Sequence, residues 1–274
     1  MIEVAFQGER GAFSEEAAVA ALGPDIHPVP CRSFADVFAA VVAGRAAYGV
    51  VPIENSLTGS IRENYDLLLT HELHIVGETE IPVHHCLIAL PGVRLAGIRR
   101  VLSHPQALAQ CERTLRELLP DAELVPVYDT AGSALIIRRE GLRDAAAIAG
   151  RRAAEIHGMA VLAEDLADSP ENYTRFLVLG REPVVPEGPA KTSIVFSAEN
   201  VPGALHRCLE PFAVRGIDLT KIESRPLRKR RWEYLFYVDF AGGVREARCR
   251  EALEELRGRT TFLRVLGSYP RTVR

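Results

Sequence analysis

The hexapeptide Glu171-Asn172-Tyr173-Thr174-Arg175-Phe176 gathers a hydroxyl, a guanidinium and two aromatic rings immediately ahead of the apolar run Leu177-Val178-Leu179-Gly180. A polar tip feeding a short apolar run predicts a loop entering a buried strand, which would hold Thr174 and Arg175 rigidly at a sheet edge. Small-molecule sites sit at such edges in open α/β sheets. A hydroxyl there can donate to a leaving group, and a guanidinium can grip a carboxylate through two parallel hydrogen bonds. An unselected Thr-Arg pair is more often a surface turn, so the weight falls on what the rest of the chain brings to the same edge.

Four further segments carry small hydroxyl or amide residues where a predicted strand meets a predicted helix. They are Gly8, Gly11 and Ser14; Glu54-Asn55-Ser56-Leu57-Thr58-Gly59-Ser60; Ser103-His104-Pro105-Gln106; and Asp129-Thr130-Ala131-Gly132-Ser133. At each, the free N–H groups and positive dipole end of the helix favour an anion. Taken singly, each hydroxyl is more commonly a helix cap. Converging on one sheet edge with Arg175, they describe a cleft for a small polyanion, a carboxylate compound. Gln106 and Gln110, spaced i, i+4, share a helix face that either lines this cleft or is simply solvated. Glu54 is the nearest carboxylate, an acid or a partner of Arg62 or Arg175. The glycines form neither a dinucleotide fingerprint nor a phosphate-binding loop.

The elements that must position these residues alternate along the first part of the chain. Strands are predicted at 4–6, 26–29, 48–53, 73–80, 86–90, 101–102, 124–127, 146–149 and 160–162, with helices at 13–22, 34–43, 60–70, 105–119, 131–140 and 150–157. This spacing implies α/β structure with parallel sheets. The long extended run at 73–90, which contains Pro82, breaks the alternation and predicts a crossover between two lobes. A return near 165–180 completes a region spanning 1–181. Residues 182–190, with Pro183, Pro186, Gly188 and Pro189, predict a linker. Beyond it, 191–274 holds strands at 192–198, 218–224, 233–240 and 261–267 and helices at 202–215 and 245–258, the first with Asn200 as cap and Pro202 in its first turn. The order βαββαβ is ferredoxin-like.

Composition bounds the function. The chain has 274 residues, 47% hydrophobic and 25% charged, with a formal net charge of -3, which gives no general reason to bind nucleic acid or an anionic membrane. No window approaches a membrane span, and the N-terminus lacks a basic signal-peptide region. Cys31, Cys86, Cys111, Cys208 and Cys249 are odd in number and scattered, which suggests neither disulfides nor a structural metal and implies a cytoplasmic protein. His84 and His85 are adjacent, would point to opposite faces of a strand, and read as structural. The basic run Arg225 to Arg231 reads as a solvated hairpin loop.

At this point the strings resemble a known family. Val50-Val51-Pro52-Ile53-Glu54-Asn55-Ser56-Leu57-Thr58-Gly59-Ser60, Ser103-His104-Pro105-Gln106 with Gln110, Asp129-Thr130-Ala131-Gly132-Ser133-Ala134 and Asn172-Tyr173-Thr174-Arg175-Phe176 resemble the signatures of prephenate dehydratases. Pro202-Gly203-Ala204-Leu205 with Leu209, and Glu223-Ser224-Arg225-Pro226, are similar to the paired motifs of that family's regulatory ACT domain. With no room for a chorismate mutase or prephenate dehydrogenase domain, the resemblance is to the monofunctional form. It implies conversion of prephenate to phenylpyruvate, water and CO2 on the way to phenylalanine, without a cofactor, in two α/β lobes similar to type II periplasmic binding proteins. Thr174 would act at the leaving hydroxyl, helped by Glu54 or by a water fixed by Asn55 and Gln110. Arg175, Phe176, Ser14, Ser56, Thr58, Ser103, Gln106, Thr130 and Gly132 would bind substrate. Asn200, Gly203, Ala204, Leu205, Glu223 and Ser224 would line a phenylalanine pocket, and ACT domains would pair the chain into a homodimer or homotetramer. Arogenate is the alternative substrate, and a small-anion sensor without catalysis is the alternative class.

Overall fold

The structure is a computed structural model and describes residues 1–226 and 234–271. The part of the basic run at 227–231 lies outside the described residues. The chain forms two compact units, one of Met1–His71 with Thr79–Val178 and one of Glu72–Glu78 with Leu179–Arg274.

In chain order come β1 (Ile2–Gln7), α1 (Phe13–Leu22), β2 (Ile26–Cys31), α2 (Phe34–Val42), β3 (Tyr48–Asn55), β4 (Gly59–Ser60), α3 (Arg62–Thr70) and β5 (His74–Pro82). The chain then leaves for a second sheet: β6 (Cys86–Ala89), β7 (Arg100–Ser103), α4 (Pro105–Gln110), α5 (Glu112–Leu118), β8 (Glu123–Pro126), α6 (Thr130–Glu140), β9 (Ala145–Ala149), α7 (Arg151–His157) and β10 (Ala160–Ala163). It returns as β11 (Tyr173–Gly180). Strand order is β2-β1-β3-β11-β5, with β4 on β3, in the first sheet and β10-β6-β9-β7-β8 in the second. Two lobes therefore exist, with the crossover at 83–85 and the return after β10.

Three details differ from the expectation. The second sheet is mixed, because β6 runs antiparallel to both β9 and β10 while β7 is parallel to β8 and β9. The helix expected over 105–119 breaks at Cys111 (φ -116°, ψ 11°), giving α4 and α5. The segment after β3 does not run straight into a helix; Asn55 and Glu54 turn back through an antiparallel pairing with Gly59 and Ser60 before α3 starts.

Alanine lets the second lobe pack densely. In β9 every residue is buried, Ala145, Ala147 and Ala149 on one face of the sheet and Ala146 and Ile148 on the other, so small side chains admit layers on both sides. Phe6 and Ala12 of the first lobe belong to the same buried cluster as Ala131, Ala147 and Ala153 of the second. The two lobes thus share apolar core rather than meeting only through polar cleft walls.

The second unit contains β12 (Ala190–Ser197), α8 (Ala204–Ala213), β13 (Leu219–Pro226), β14 (Tyr234–Ala241), α9 (Ala247–Arg257) and β15 (Phe262–Pro270), in the order β13-β14-β12-β15. Ile194, Phe196, Val238 and Phe240 of the sheet pack on Cys208, Phe212, Leu253 and Leu256 of the helices. Helix α8 starts at Ala204, two residues later than expected, because Gly203 takes a left-handed conformation (φ 77°) that interrupts the helix; among the described residues no side chain, Asn200 included, caps it. Residues 72–78, expected inside the first region, belong to this unit. A Cβ placed on Gly267 of β15 would lie 2.0 Å from the Ile75 carbonyl oxygen, so the backbones touch.

Candidate functional site

The C-terminal end of β3 and the N-terminal end of β11 lie side by side in the first lobe and bring Asn55 against Thr174. Leu57 and Thr58 donate their backbone N–H groups to Asn55 Oδ1 at 3.0 and 3.1 Å. Those two donors fix which end of the Asn55 amide is which, since only its oxygen can accept. Asn55 Nδ2 must then point the other way, and it donates to Asn172 Oδ1 at 2.7 Å and to Thr174 Oγ1 at 2.9 Å. Asn172 Nδ2 passes the polarity on to Gln110 Oε1 at 3.1 Å. Asn55, Asn172 and Thr174 are all buried. A relay of amides with one possible direction therefore starts at two backbone N–H groups and crosses from the first lobe to α4 of the second.

For Thr174 the consequence is chemical. Its oxygen receives the Asn55 N–H, and among the described residues its own O–H has no acceptor. The hydroxyl is held as a donor.

Strand alternation sends Arg175 and Glu54 elsewhere. Neighbouring strand residues leave opposite faces, and burial alternates accordingly: Thr174 and Phe176 are buried while Arg175 is half-buried, and Asn55 is buried while Glu54 is half-buried. The expectation gave Thr174 the leaving hydroxyl and Arg175 a substrate carboxylate, with Glu54 or a water fixed by Asn55 and Gln110 as partner; of these the structure puts Asn55 in direct hydrogen bond with Thr174. Phe176 sits two residues along from Thr174 on the same face and is packed in the core rather than presented to a ligand.

The remaining candidates divide. Gln106 donates to Thr58 Oγ1 at 2.6 Å and so joins the two lobes. Ser56 accepts from Tyr173 N and donates to Glu171 O, both at 2.9 Å, which ties the β3–β4 turn to the loop before β11. Thr58 belongs to that turn and not to a helix start, and its N–H is already given to Asn55. Ser103, expected to bind substrate, is fully buried and donates to the Ile148 carbonyl at 2.7 Å, holding β7 to the sheet. The start of α6 is not an open anion site either. Asp129 caps it with its own carboxylate, taking Gly132 N at 2.8 Å and Glu9 N at 3.2 Å, and burial pushes that carboxyl above the usual range. Thr130 is the first residue of this capped helix, and a Cβ on Gly132 would strike the Tyr128 ring at 2.6 Å, so the glycine serves packing. Helix α1 is different: it follows Ala12, which has no side chain able to cap, and Ser14 lies in its first turn. Like α3, it has no side-chain cap, and although Glu15 N is already given to Ala12 O at 2.9 Å, Phe13 and Ser14 sit at the positive end of the helix dipole.

Asn172 and His85 were not assigned roles by sequence reasoning. Asn172 stands inside the Asn-Tyr-Thr-Arg-Phe string, two residues before Thr174, where strand spacing puts both on one face; that was a readable signal. His85, in the crossover between lobes, approaches Gln110 Oε1 at 2.9 Å and is only 2% exposed. Burial holds its imidazole below the ordinary value.

In the second unit, Asn200 is exposed, Ala204 and Leu205 are half-buried at the start of α8, and Gly203 precedes them in its left-handed turn. Glu223 and Ser224 lie on β13, the strand at one edge of the sheet, with Ser224 exposed. Among the described residues, no group of His, Cys, Asp and Glu could hold a metal ion, and no helix is long and apolar enough to cross a membrane.

Known proteins share this chain's pattern. The family model for prephenate dehydratase matches residues 4–184. A chloroplastic arogenate/prephenate dehydratase of Arabidopsis thaliana is 52% identical over 280 residues, covering 98% of this chain and 73% of that one. An arogenate dehydratase of Petunia hybrida is 50% identical, covering 98% and 67%. Among solved structures, a prephenate dehydratase from Arthrobacter aurescens in complex with L-Phe superposes with a TM-score of 0.90 at 37% identity, covering 98% of this chain and 90% of that one. A protein described as a novel type of quorum-quenching acylase gives a TM-score of 0.89 at 35% identity, covering 98% of both chains.

Proposed function

The chain belongs to the prephenate dehydratase family, and from that premise we propose that it expels the ring carboxylate and ring hydroxyl of prephenate together, giving phenylpyruvate, CO2 and water in phenylalanine biosynthesis. Arogenate, the substrate named for its plant relatives, is the alternative. The observation that carries the reading is the Thr174 hydroxyl, held as a donor by Asn55 at the cleft between the lobes.

Prephenate loses CO2 and hydroxide to become aromatic, so the thermodynamic drive belongs to the substrate. When the carbon–carboxylate bond breaks, its electron pair enters the ring and expels the hydroxyl on the opposite carbon. Charge develops on that departing oxygen, and Thr174 O–H is the donor aimed at it. Among the described residues the side chain hydrogen-bonded to Thr174 Oγ1 is Asn55, an amide and not an acid. Thr174 therefore works by hydrogen bonding, and the proton that completes water comes from solvent. The uncapped start of α1, with the Ser14 hydroxyl, takes a substrate carboxylate, and Gln106 and Gln110 line the facing side. These are positioning and electrostatic effects, which suit a reaction whose pull is intrinsic.

The βαββαβ unit we read as an ACT domain that takes phenylalanine as effector, with Asn200, Gly203, Ala204 and Leu205 on one side of the pocket and Glu223 and Ser224 on the other. The L-Phe-bound Arthrobacter relative supports this. Pairing of such units into a homodimer or homotetramer is part of the same proposal. The acylase likeness is the weaker reading, because acyl transfer through Thr174 needs a base at its hydroxyl and the relay places amides there. A side-by-side turnover assay of prephenate and arogenate, with and without phenylalanine, tests the whole. CO2 release from one of them that phenylalanine alters is the expected result, and release from neither would overturn it.

A further inference from the structure

We propose that His85 is a positioning residue for this reaction: its Nε2–H, donated to Gln110 Oε1, closes the amide relay and keeps the Gln110 N–H2 turned toward the substrate. The assignment rests on the proposed role of Thr174 and Gln110, but the geometry is independent of it. Polarity runs one way through the chain of amides. The Leu57 and Thr58 N–H groups fix Asn55, Asn55 fixes Asn172, and Asn172 Nδ2 demands the oxygen of Gln110. An amide oxygen cannot donate, so the imidazole nitrogen 2.9 Å from it must carry the proton. His85 Nδ1 is then the bare nitrogen, and among the described residues it has no hydrogen-bond partner in its buried setting. The ring is held edge-on to Phe13, with centroids 5.6 Å apart and planes at 81°, and the His85 carbonyl accepts Leu166 N at 3.0 Å. The imidazole thus has little freedom to turn.

With its oxygen bonded to both His85 and Asn172, Gln110 keeps its N–H2 on the opposite side of the amide, and among the described residues that group has no acceptor. Losing one of the two anchors lets the amide swing, and Asn172, Asn55 and Thr174 lose a fixed end of their relay. Misalignment on this scale costs on the order of 10- to 100-fold in rate.

The experiment compares His85→Phe, which keeps the ring volume and the Phe13 contact but cannot donate, with His85→Gln, whose amide N–H2 falls near the imidazole Nε2. His85→Phe is expected to lower kcat about 10- to 100-fold with KM little changed, and His85→Gln to restore most of it. In a Gln110→Leu background, where no acceptor remains, His85→Phe should cost nothing further. A His85→Phe enzyme with wild-type kcat, or one whose loss is undiminished without Gln110, overturns the proposal. A second readout needs no turnover. Nitrogen-15 NMR of the wild-type protein should show His85 neutral and protonated on Nε2, and the Gln110 side-chain amide signals should move in His85→Phe. The opposite tautomer, or unmoved signals, overturns the positioning role. If the wild-type protein consumes neither prephenate nor arogenate, the functional reading fails while the NMR result still decides His85.

Discussion

Thr174 and its neighbours make claims that single substitutions can test. Removing one donor aimed at developing charge costs about 10²–10³ in kcat, so Thr174→Ala should fall by that factor with an unchanged melting temperature, and Thr174→Ser should stay within about ten-fold of wild type. An active Thr174→Ala would remove the hydroxyl from the mechanism. Asn55→Leu should lose both activity and roughly 1–3 kcal/mol of stability, since the Leu57 and Thr58 N–H groups and Thr174 Oγ1 all lose their partner. Chemical denaturation measures the second effect. Acid should act through two imidazoles. His85 is depressed by burial, with the neighbouring His84 charge adding to the effect. His104 is depressed by burial against the opposing pull of Asp129, and its Nδ1 accepts Gln106 N as the cap of α4. For both, the unfolded chain takes up a proton near 6.5 while the folded form resists. Stability is therefore present above that pH and is lost as pH falls through it toward the lower folded values. Melting temperature should decline from pH 7 to pH 5, less steeply in His85→Gln, and a flat profile would contradict both shifts.

Between β1 and α1, the chain depends on Gly11. Its φ of +90° is costly for any other residue, and a Cβ there would lie 2.6 Å from Ala153 Cα on α7 of the other lobe. The same loop is tied down by Glu15, fully buried, which takes Gly11 N at 2.6 Å and pairs with Arg10 at 3.0 Å and Arg152 at 3.1 Å. Gly11→Ala should combine backbone strain with overpacking and cost roughly 3 kcal/mol or more. Gly23 has φ +89° and ψ 171° with nothing within 4 Å of a Cβ, so Gly23→Ala should cost only the backbone strain, about 1–3 kcal/mol. Equal losses in the two variants would mean that the interlobe contact is not tight. The β3–β4 turn has the complementary role, delivering N–H groups where a helix start was expected. No pattern of apolar residues announces a two-residue pairing such as Gly59–Ser60, whereas α1 and α2 have enough periodic apolar length to be read directly.

Across the whole molecule, residues 72–78 join a unit that begins again only at Leu179. Glu78 is 4% exposed and meets Lys191, 11% exposed, at 2.6 Å. Glu78→Ala strands a buried ammonium and should cost roughly 3–5 kcal/mol, which a melting curve would register; a loss below about 1 kcal/mol would show the pair to be solvated. Such long-range meetings mark the boundary of what could be read in advance. By itself the sequence determined the alternation of strands and helices, two lobes joined by a crossover within 73–90, the βαββαβ order after the Pro-rich segment, and the concentration of hydroxyl and amide residues at strand ends. Those follow from periodicity, turn residues and residue chemistry, which act within a few positions. Only the tertiary structure decided which candidates converge: that Asn55, Asn172, Gln110 and His85 form one relay, and that Asp129 caps α6 while α1 has no side-chain cap. Those outcomes depend on side-chain geometry rather than local pattern, and the relay joins residues from 25 to 119 positions apart.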